Sequence, residues 1–291
     1  MVVIAFSMRR IALATSEAYK SLTTDDQALL APLTARGFAP EPAIWSDQSC
    51  PWAAMDAVII RSCWDYHVRL PEFLAWLAEL DAAGVKVWNS PSMVRWNANK
   101  TYLRELESKD IPIIPTIWPD TVMPLQETLC SLGWEKAVVK PRVSATAYKT
   151  CLTSSDNTVT AQQVLEELLR GPGALVQKFM PDIVARGEWS LIFFAGRYSH
   201  AVIKTPKAGD FRVQHDFGGV ERSAQPPAHV LEDAMRVMKA VTETPLYARV
   251  DGVESSGRLH LMELELIEPA LFLKSAPLAA DRFAEAIASI L

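Results

Sequence analysis

Apolar positions recur in two rhythms along the first ninety residues. Residues 10–15 (Arg10-Ile11-Ala12-Leu13-Ala14-Thr15), 55–61 (with Ala57-Val58-Ile59-Ile60 at the centre) and 85–89 are short continuous runs, of the kind a parallel sheet buries on both faces. Between them lie stretches with helical spacing. Residues 25–36 can be capped by Thr24 and ended by Gly37. Residues 71–83 carry Phe73, Leu74, Leu77 and Leu80 on one stripe, with Pro71 in the first turn and Gly84 as the stop. Strand and helix in alternation predict a small doubly wound α/β domain over residues 1–93. It has no G-x-G-x-x-G fingerprint.

The pattern then changes to α+β. Over residues 94–174 it predicts a linker or short helix at 91–100, a helix at 101–108 and a strand at 111–118 broken by Pro112 and Pro115. A strand, a loop of small residues and a returning strand follow over 136–150, then a helix with Val164, Leu165, Leu168 and Leu169 on one face. Residues 175–291 form a third lobe, entered on a strand at 174–179. It holds a hairpin of 189–194 and 198–204 turning at Ala195-Gly196-Arg197, a helix around 229–241, a second hairpin, and a final helix over 277–290.

Composition narrows the function. The chain of 291 residues is 49% hydrophobic and 22% charged, ordinary for a folded protein, with a net charge of −5. With no basic block, nucleic acid is not an expected partner. No apolar run approaches the ~20 residues that cross a bilayer, and Arg9 and Arg10 follow the first apolar run instead of preceding it, unlike a secretory signal. Met8 can serve as a start as well as Met1. Cys50, Cys63, Cys130 and Cys151 are scattered without C-x-x-C spacing, so reduced thiols and a cytoplasmic location are expected.

Four stretches carry candidate chemistry. The first is the second hairpin. Glu263 and Glu265 share a strand face with Leu261, while Met262, Leu264 and Leu266 take the other. Two carboxylates about 7 Å apart repel unless solvent or a cation lies between them. Upstream, Arg249 and Asp251 share a face. Either Asp251, Glu263 and Glu265 form a Mg²⁺ platform, or the face is simply solvated. A tight turn at Ser255-Ser256 would set Asp251 opposite about His260, three residues short of Glu263; a bulge must close that offset or the metals must span it. The second is Lys140, which ends the apolar run Ala137-Val138-Val139 and needs a partner, either a phosphate or a nearby carboxylate. The small loop Ser144-Ala145-Thr146 beyond it can fold over a polyphosphate or simply connect a hairpin. The third is Gln177-Lys178-Phe179, a hinge that can hold a flat base or merely link lobes. The fourth is the loop at 61–67, at the carboxyl edge of the first sheet, where open α/β sheets bind ligands. There Arg61 and Asp65 can hold a substrate with Trp64 as a wall, or pair with each other over a packed Trp64.

The succession Lys100, Lys140 with its loop, the 177–180 hinge, Glu188, Arg212, Arg249-x-Asp251 and Glu263-x-Glu265 resembles the ATP-grasp ligase family. The resemblance runs from Trp96 to Pro269, with the first ninety residues like the family's pre-ATP-grasp domain. It implies ATP held between two lobes, a carboxylate activated as an acyl phosphate, and capture by an amine. By resemblance, Lys100 and Lys140 hold the phosphates, Ser144, Ala145 and Thr146 cover them, Gln177, Lys178 and Phe179 face adenine, and Glu188 contacts the nucleotide. Asp251, Glu263 and Glu265 would bind two Mg²⁺ ions; Arg249 and Arg212 would steady the acyl phosphate and the oxyanion. The motifs at 61–66, 95–97 and 248–251 look nearest to a bacterial group related to glutathione synthetase, one member of which is the O-ureido-serine cyclo-ligase that closes the cycloserine ring. Small carboxylate and amine substrates, gripped by Arg61 and Arg249, and a homo-oligomer follow as expectations. A kinase on the same ATP site, or a nucleotide-binding module without catalysis, are the alternatives.

Overall fold

In the computed structural model, which describes residues 8–207, 209–210, 212–213 and 218–291, the first sheet is built on β1 (Arg9–Thr15). β2 (Phe38–Ile44), β3 (Ala57–Ile60) and β4 (Val87–Trp88) pair parallel with it in the order β2-β1-β3-β4. β2 is not anticipated by the apolar pattern, because Pro40 and Pro42 interrupt it. Its place at the sheet edge explains the tolerance: an edge strand need not donate on its outer side.

Alternate residues of β1 serve two cores. Ala12 and Ala14, with Val58 and Ile60, pack against Phe73, Trp76 and Leu77 of the helix Leu70–Ala82. Ile11 and Leu13, with Ile59, face the opposite way, onto Phe283 and Ile287 of the chain's last helix, Ala279–Ile290, and onto Ile192, Phe194 and Tyr247 of the third lobe. The first domain therefore shares a core with the last.

The middle sheet comprises β5 (Thr116–Ile117), β6 (Lys136–Pro141), β7 (Cys151–Ser154) and β8 (Ala174–Lys178), in the order β5-β8-β6-β7. The strand expected over 111–118 shrinks to two residues, since Pro112 and Pro115 lack the N–H a ladder requires. The helix Leu125–Ser131 lies in a stretch where no element was expected. β8 pairs antiparallel with both β5 and β6, so 175–178 belong with the middle sheet rather than the third lobe.

The last sheet comprises β9 (Glu188–Phe194), β10 (Arg197–Thr205), β11 (Val220–Ser223), β12 (Tyr247–Ser255) and β13 (Arg258–Glu265), all antiparallel, in the order β11-β10-β9-β12-β13. One face packs Leu191, Phe193, Ile203, Ala248, Val250, Leu259, Leu261 and Leu264 around the helix Ala228–Ala240. The other face is divided. At one end Ile192, Phe194 and Tyr247 join the core shared with β1. At the other, the same alternation brings forward Glu188, Ser190, Lys204, Arg249, Asp251, Glu263 and Glu265.

Candidate active site

β12 and β13 set the site's register. Their connection is a two-residue turn at Ser256 and Gly257, both at positive φ (52° and 74°), with Ser255 paired to Arg258. The expected turn at Ser255-Ser256 is thus one residue early, which moves the partner of Asp251 two residues along β13. A β-bulge adds the third: Gly252 pairs with Leu261 while Asp251 pairs with Glu263, leaving Met262 as the extra residue. The bulge also exchanges the expected faces of Leu261 and Met262. Leu261 turns into the core, and Met262 joins Glu263 and Glu265 at the cleft.

Gly252 allows this geometry. A Cβ there would lie 2.7 Å from the carbonyl oxygen of His260 and 2.8 Å from Leu259 Cδ1, and a backbone oxygen cannot step aside cheaply. Gly252→Ala is expected to cost about 1–3 kcal/mol and to disturb the pairing of Asp251 with Glu263. Denaturation midpoints and Mg²⁺ dependence should both move. A variant with wild-type stability would mean that the bulge is not tightly packed.

The cleft between the last two sheets encloses about 570 Å³. Lys100, Lys140, Ser144, Ala145, Thr146, Gln177, Lys178, Phe179, Glu188, Arg212, Arg249, Asp251, Glu263, Glu265 and Trp64 all line it. Within it the acids of one sheet meet bases. Glu263 pairs with Lys100 at 2.8 Å, and Lys100 also donates to the Ser144 carbonyl at 2.8 Å. Asp251 takes bonds from Arg249 (2.9 Å) and from Ser190 (2.5 Å), with Lys204 at 3.4 Å. Glu265 is paired with Arg249, and Glu188 with Lys204 at 2.5 Å.

These contacts set the protonation of the site. Burial pushes the Glu265 carboxyl up, against the pull of Arg249; Asp251 and Glu263 add to the rise and leave it at about 7. Burial also acts to raise Asp251, but Arg249 and Lys204 outweigh it and hold the group below its usual range. Lys140 is lowered, chiefly by burial and further by Lys100, with Glu263 opposing. Its ammonium donates to the neutral Gln177 Oε1 at 2.7 Å, and among the described residues it makes no ion pair with a carboxylate.

The hinge end of the cleft is apolar. Phe179, Met180 and Met262 pack with Ile114, Ile183 and Val213. The backbone N–H groups of Lys178 and Phe179 already donate to the carbonyls of Pro115 (2.8 Å) and Lys136 (3.0 Å). A base here would meet apolar walls rather than those two amides. Arg212 lines the cleft while gripping Asp210 through two nitrogens at 3.1 and 2.8 Å.

Two expectations need correction. Arg61 and Asp65 do not line the cleft, nor do they pair with each other. Arg61 is 1% exposed; its Nε meets Asp26 at 2.9 Å and its Nη2 donates to the Pro269 carbonyl at 2.7 Å. Asp65 accepts from Trp45 Nε1 at 2.8 Å. A guanidinium spent on a buried acid and a carbonyl has no donor left facing a substrate. Glu188 does reach the cleft, but it is held by Lys204 beside Asp251.

Lys204 is the main residue the sequence reading misses. It ends the run Ala201-Val202-Ile203, the same signature that singles out Lys140. Glu268 is the second. It is 8% exposed, lines the cleft, and is pushed well above the usual carboxylate range by burial, with Glu265 and Glu263 adding to the effect.

Asp251, Glu263 and Glu265 fit Mg²⁺ in donor chemistry, being hard carboxylate oxygens on facing strands. As placed, their oxygens are bound by Lys and Arg, and among the described residues no three acidic, His or Cys groups converge on one point. No helix is long and apolar enough to cross a membrane among the described residues.

Residues 11–89 match the family model described as the N-terminal domain of D-cycloserine synthetase DcsG. The cycloserine biosynthesis protein DcsG of Streptomyces lavendulae is 29% identical, with the alignment covering 96% of this chain and 97% of that protein. The crystal structure of D-cycloserine synthetase DcsG superposes with a TM-score of 0.88 at 26% identity, over 97% of this chain and 99% of that one. The fold is shared more distantly with a D-alanine–D-alanine ligase from Bacillus anthracis (TM-score 0.66, 16% identity, 96% and 92% covered) and with the ATP-grasp ligase PsnB solved with its minimal precursor, Mg and ADP (0.67, 16%, 100% of both). The similarity to DcsG along the whole chain and the fold shared with ATP-grasp ligases indicate an ATP-grasp ligase that forms C–N bonds.

Proposed function

We propose that this ligase converts the carboxylate of a small amino acid or peptide into an acyl phosphate at the expense of Mg·ATP, and that an amine of a second molecule or of the same one displaces the phosphate. The observation that carries the reading is the opposition of Lys140 to the acidic face. This half-buried ammonium, bonded among the described residues only to the Gln177 amide oxygen, lacks a counter-charge of its own that a phosphate would supply. Lys100, Lys204 and Arg249 face it from among the carboxylates. The apolar pocket at Phe179, Met180 and Met262 suits a flat base, and the loop at Ser144, Ala145 and Thr146 lies beside Lys100.

Asp251, Glu263 and Glu265 would hold the Mg²⁺ ions, which neutralise charge on the phosphates during transfer. The present pairing of acids with bases has a consequence for that event. With Mg·ATP bound, Lys100, Lys204 and Arg249 would be available to the phosphates and Asp251, Glu263 and Glu265 to the metal, so each charge would keep a counter-charge. Arg249, already on the cleft floor and anchored to the Ala270 carbonyl at 3.0 Å, would donate to the oxygen that gains charge as the amine attacks. Similarity to DcsG favours an amino-acid substrate and makes a ring-closing reaction one form of the chemistry. A screen of phosphate release over amino acids, dipeptides, and ureido- and aminooxy-substituted amino acids tests the reading. Release should require both ATP and the right carboxylate; release indifferent to every carboxylate would reject it.

A further inference from the structure

Glu268 has no place in the scheme so far. Glu268 as a residue is only 8% exposed and lines the cleft, yet among the described residues its carboxyl makes no hydrogen bond and no ion pair. The nearby bases are committed elsewhere. Lys100 is on Glu263 and the Ser144 carbonyl, and Arg249 is on Asp251, Glu265 and the Ala270 carbonyl. Opening on the cleft, the carboxyl is left with acceptor capacity that a ligand filling the cleft must match with donors of its own.

The backbone around Glu268 is held as though its direction matters. The Glu268 carbonyl accepts from Trp64 Nε1 at 2.9 Å, the Pro269 carbonyl from Arg61 Nη2 at 2.7 Å, and the Ala270 carbonyl from Arg249 Nη1 at 3.0 Å. Three consecutive carbonyls are thus pinned by three side chains, two of them from the loop after β3. That loop was expected to touch substrate through Arg61. Its observed work is to fix the segment that carries Glu268, with Trp64 itself also lining the cleft.

We propose that Glu268 is the specificity residue for the substrate's amino group, its carboxyl receiving the ammonium or N–H donors of an amino-acid substrate whose own carboxylate is the one activated. This deepens the ligase reading and rests on it. A carboxyl group selects for an N–H-bearing head and against a carboxylic acid that lacks one, because the unmatched acceptor would stay buried without a partner. Trp64 and Arg61 act on the same specificity as positioning residues.

The test is calorimetric titration of D- and L-alanine, D- and L-serine and O-substituted serines, beside the des-amino acids propanoate and 3-hydroxypropanoate, with and without Mg²⁺ and AMP-PNP. The wild type should bind at least one amino acid more than 10-fold tighter than its des-amino counterpart, on the order of a lost charged hydrogen bond. Glu268→Gln should weaken that amino acid by about 10–100-fold, leave the des-amino acid unchanged, and leave AMP-PNP affinity and the unfolding midpoint near wild type. Trp64→Phe, which removes only the Nε1 donor, should weaken the same amino acid by about 3–10-fold. The proposal is overturned if no amino acid in the panel binds the wild type more tightly than Glu268→Gln, or if Glu268→Ala keeps the preference for the amino group. Failure of the ligase reading would look different, as absence of Mg·AMP-PNP binding in the wild type, while the amino-acid titrations without nucleotide still decide the role of Glu268.

Discussion

Glu263→Gln is expected to lower ligase turnover on the order of 10²–10³-fold and to shift the Mg²⁺ requirement to higher concentration. The substitution isolates charge from shape. Gln has the same length, can still accept from Lys100 Nζ, and leaves the pairing of β12 with β13 intact, so the fold should survive. What it loses is an anionic oxygen directly across from Asp251. A neutral amide is a poor ligand for a hard divalent cation. It also leaves Lys100 with no carboxylate in its ion pair, which strengthens its hold on phosphate and cannot compensate for a displaced metal. Phosphate release measured across a Mg²⁺ series checks this. Turnover within about threefold of wild type at every Mg²⁺ concentration would remove Glu263 from the metal set.

Arg61→Met should act on stability first. Its guanidinium is 1% exposed, paired with Asp26 at 3% exposure, and lies over the rings of Tyr247 (5.1 Å) and Phe283 (5.7 Å). Removing one partner of such a pair leaves a buried charge without compensation and costs about 3–5 kcal/mol. The loss is not local, because Arg61 joins β3 of the first sheet to Pro269 beside the cleft and to the last helix. Chemical denaturation should show the drop, and Arg61→Met combined with Asp26→Asn should recover part of it, since the stranded acid is then neutral. If Arg61 instead gripped substrate, as its position at the sheet's carboxyl edge suggests, the single variant would raise KM at nearly unchanged stability.

Much of the architecture is legible in short-range pattern. Continuous apolar runs mark β1 and β3, and helical spacing marks Leu70–Ala82, because both signals come from residues adjacent along the chain. β2 escapes, because whether Pro40 and Pro42 are allowed depends on which strand is at the edge, and that is settled by tertiary assembly. The three acids proposed to bind metal show the same division. Their residue types stand out in sequence; their alignment does not, because it depends on a turn one residue later than expected and on a bulge that only Gly252 permits. Lys204 was missed although a signal was there, since its apolar run ending in lysine repeats that of Lys140. Arg61 carried no such signal for its partners. Nothing near it in sequence announces Asp26, 35 residues earlier, or Pro269, 208 residues later. Glu268 was hidden for the same reason: the backbone that carries it is held by Trp64, 204 residues earlier.

Carboxylate activation by phosphorylation is tested most directly by labelling both carboxylate oxygens of a turned-over substrate with ¹⁸O and following the isotope by mass spectrometry. If the carboxylate attacks the γ-phosphorus and the amine then expels phosphate from the acyl carbon, one ¹⁸O must leave on each inorganic phosphate and one must remain in the amide. Phosphate carrying one ¹⁸O per turnover is the predicted result. Unlabelled phosphate, with both ¹⁸O atoms retained on the substrate carbon, would contradict it.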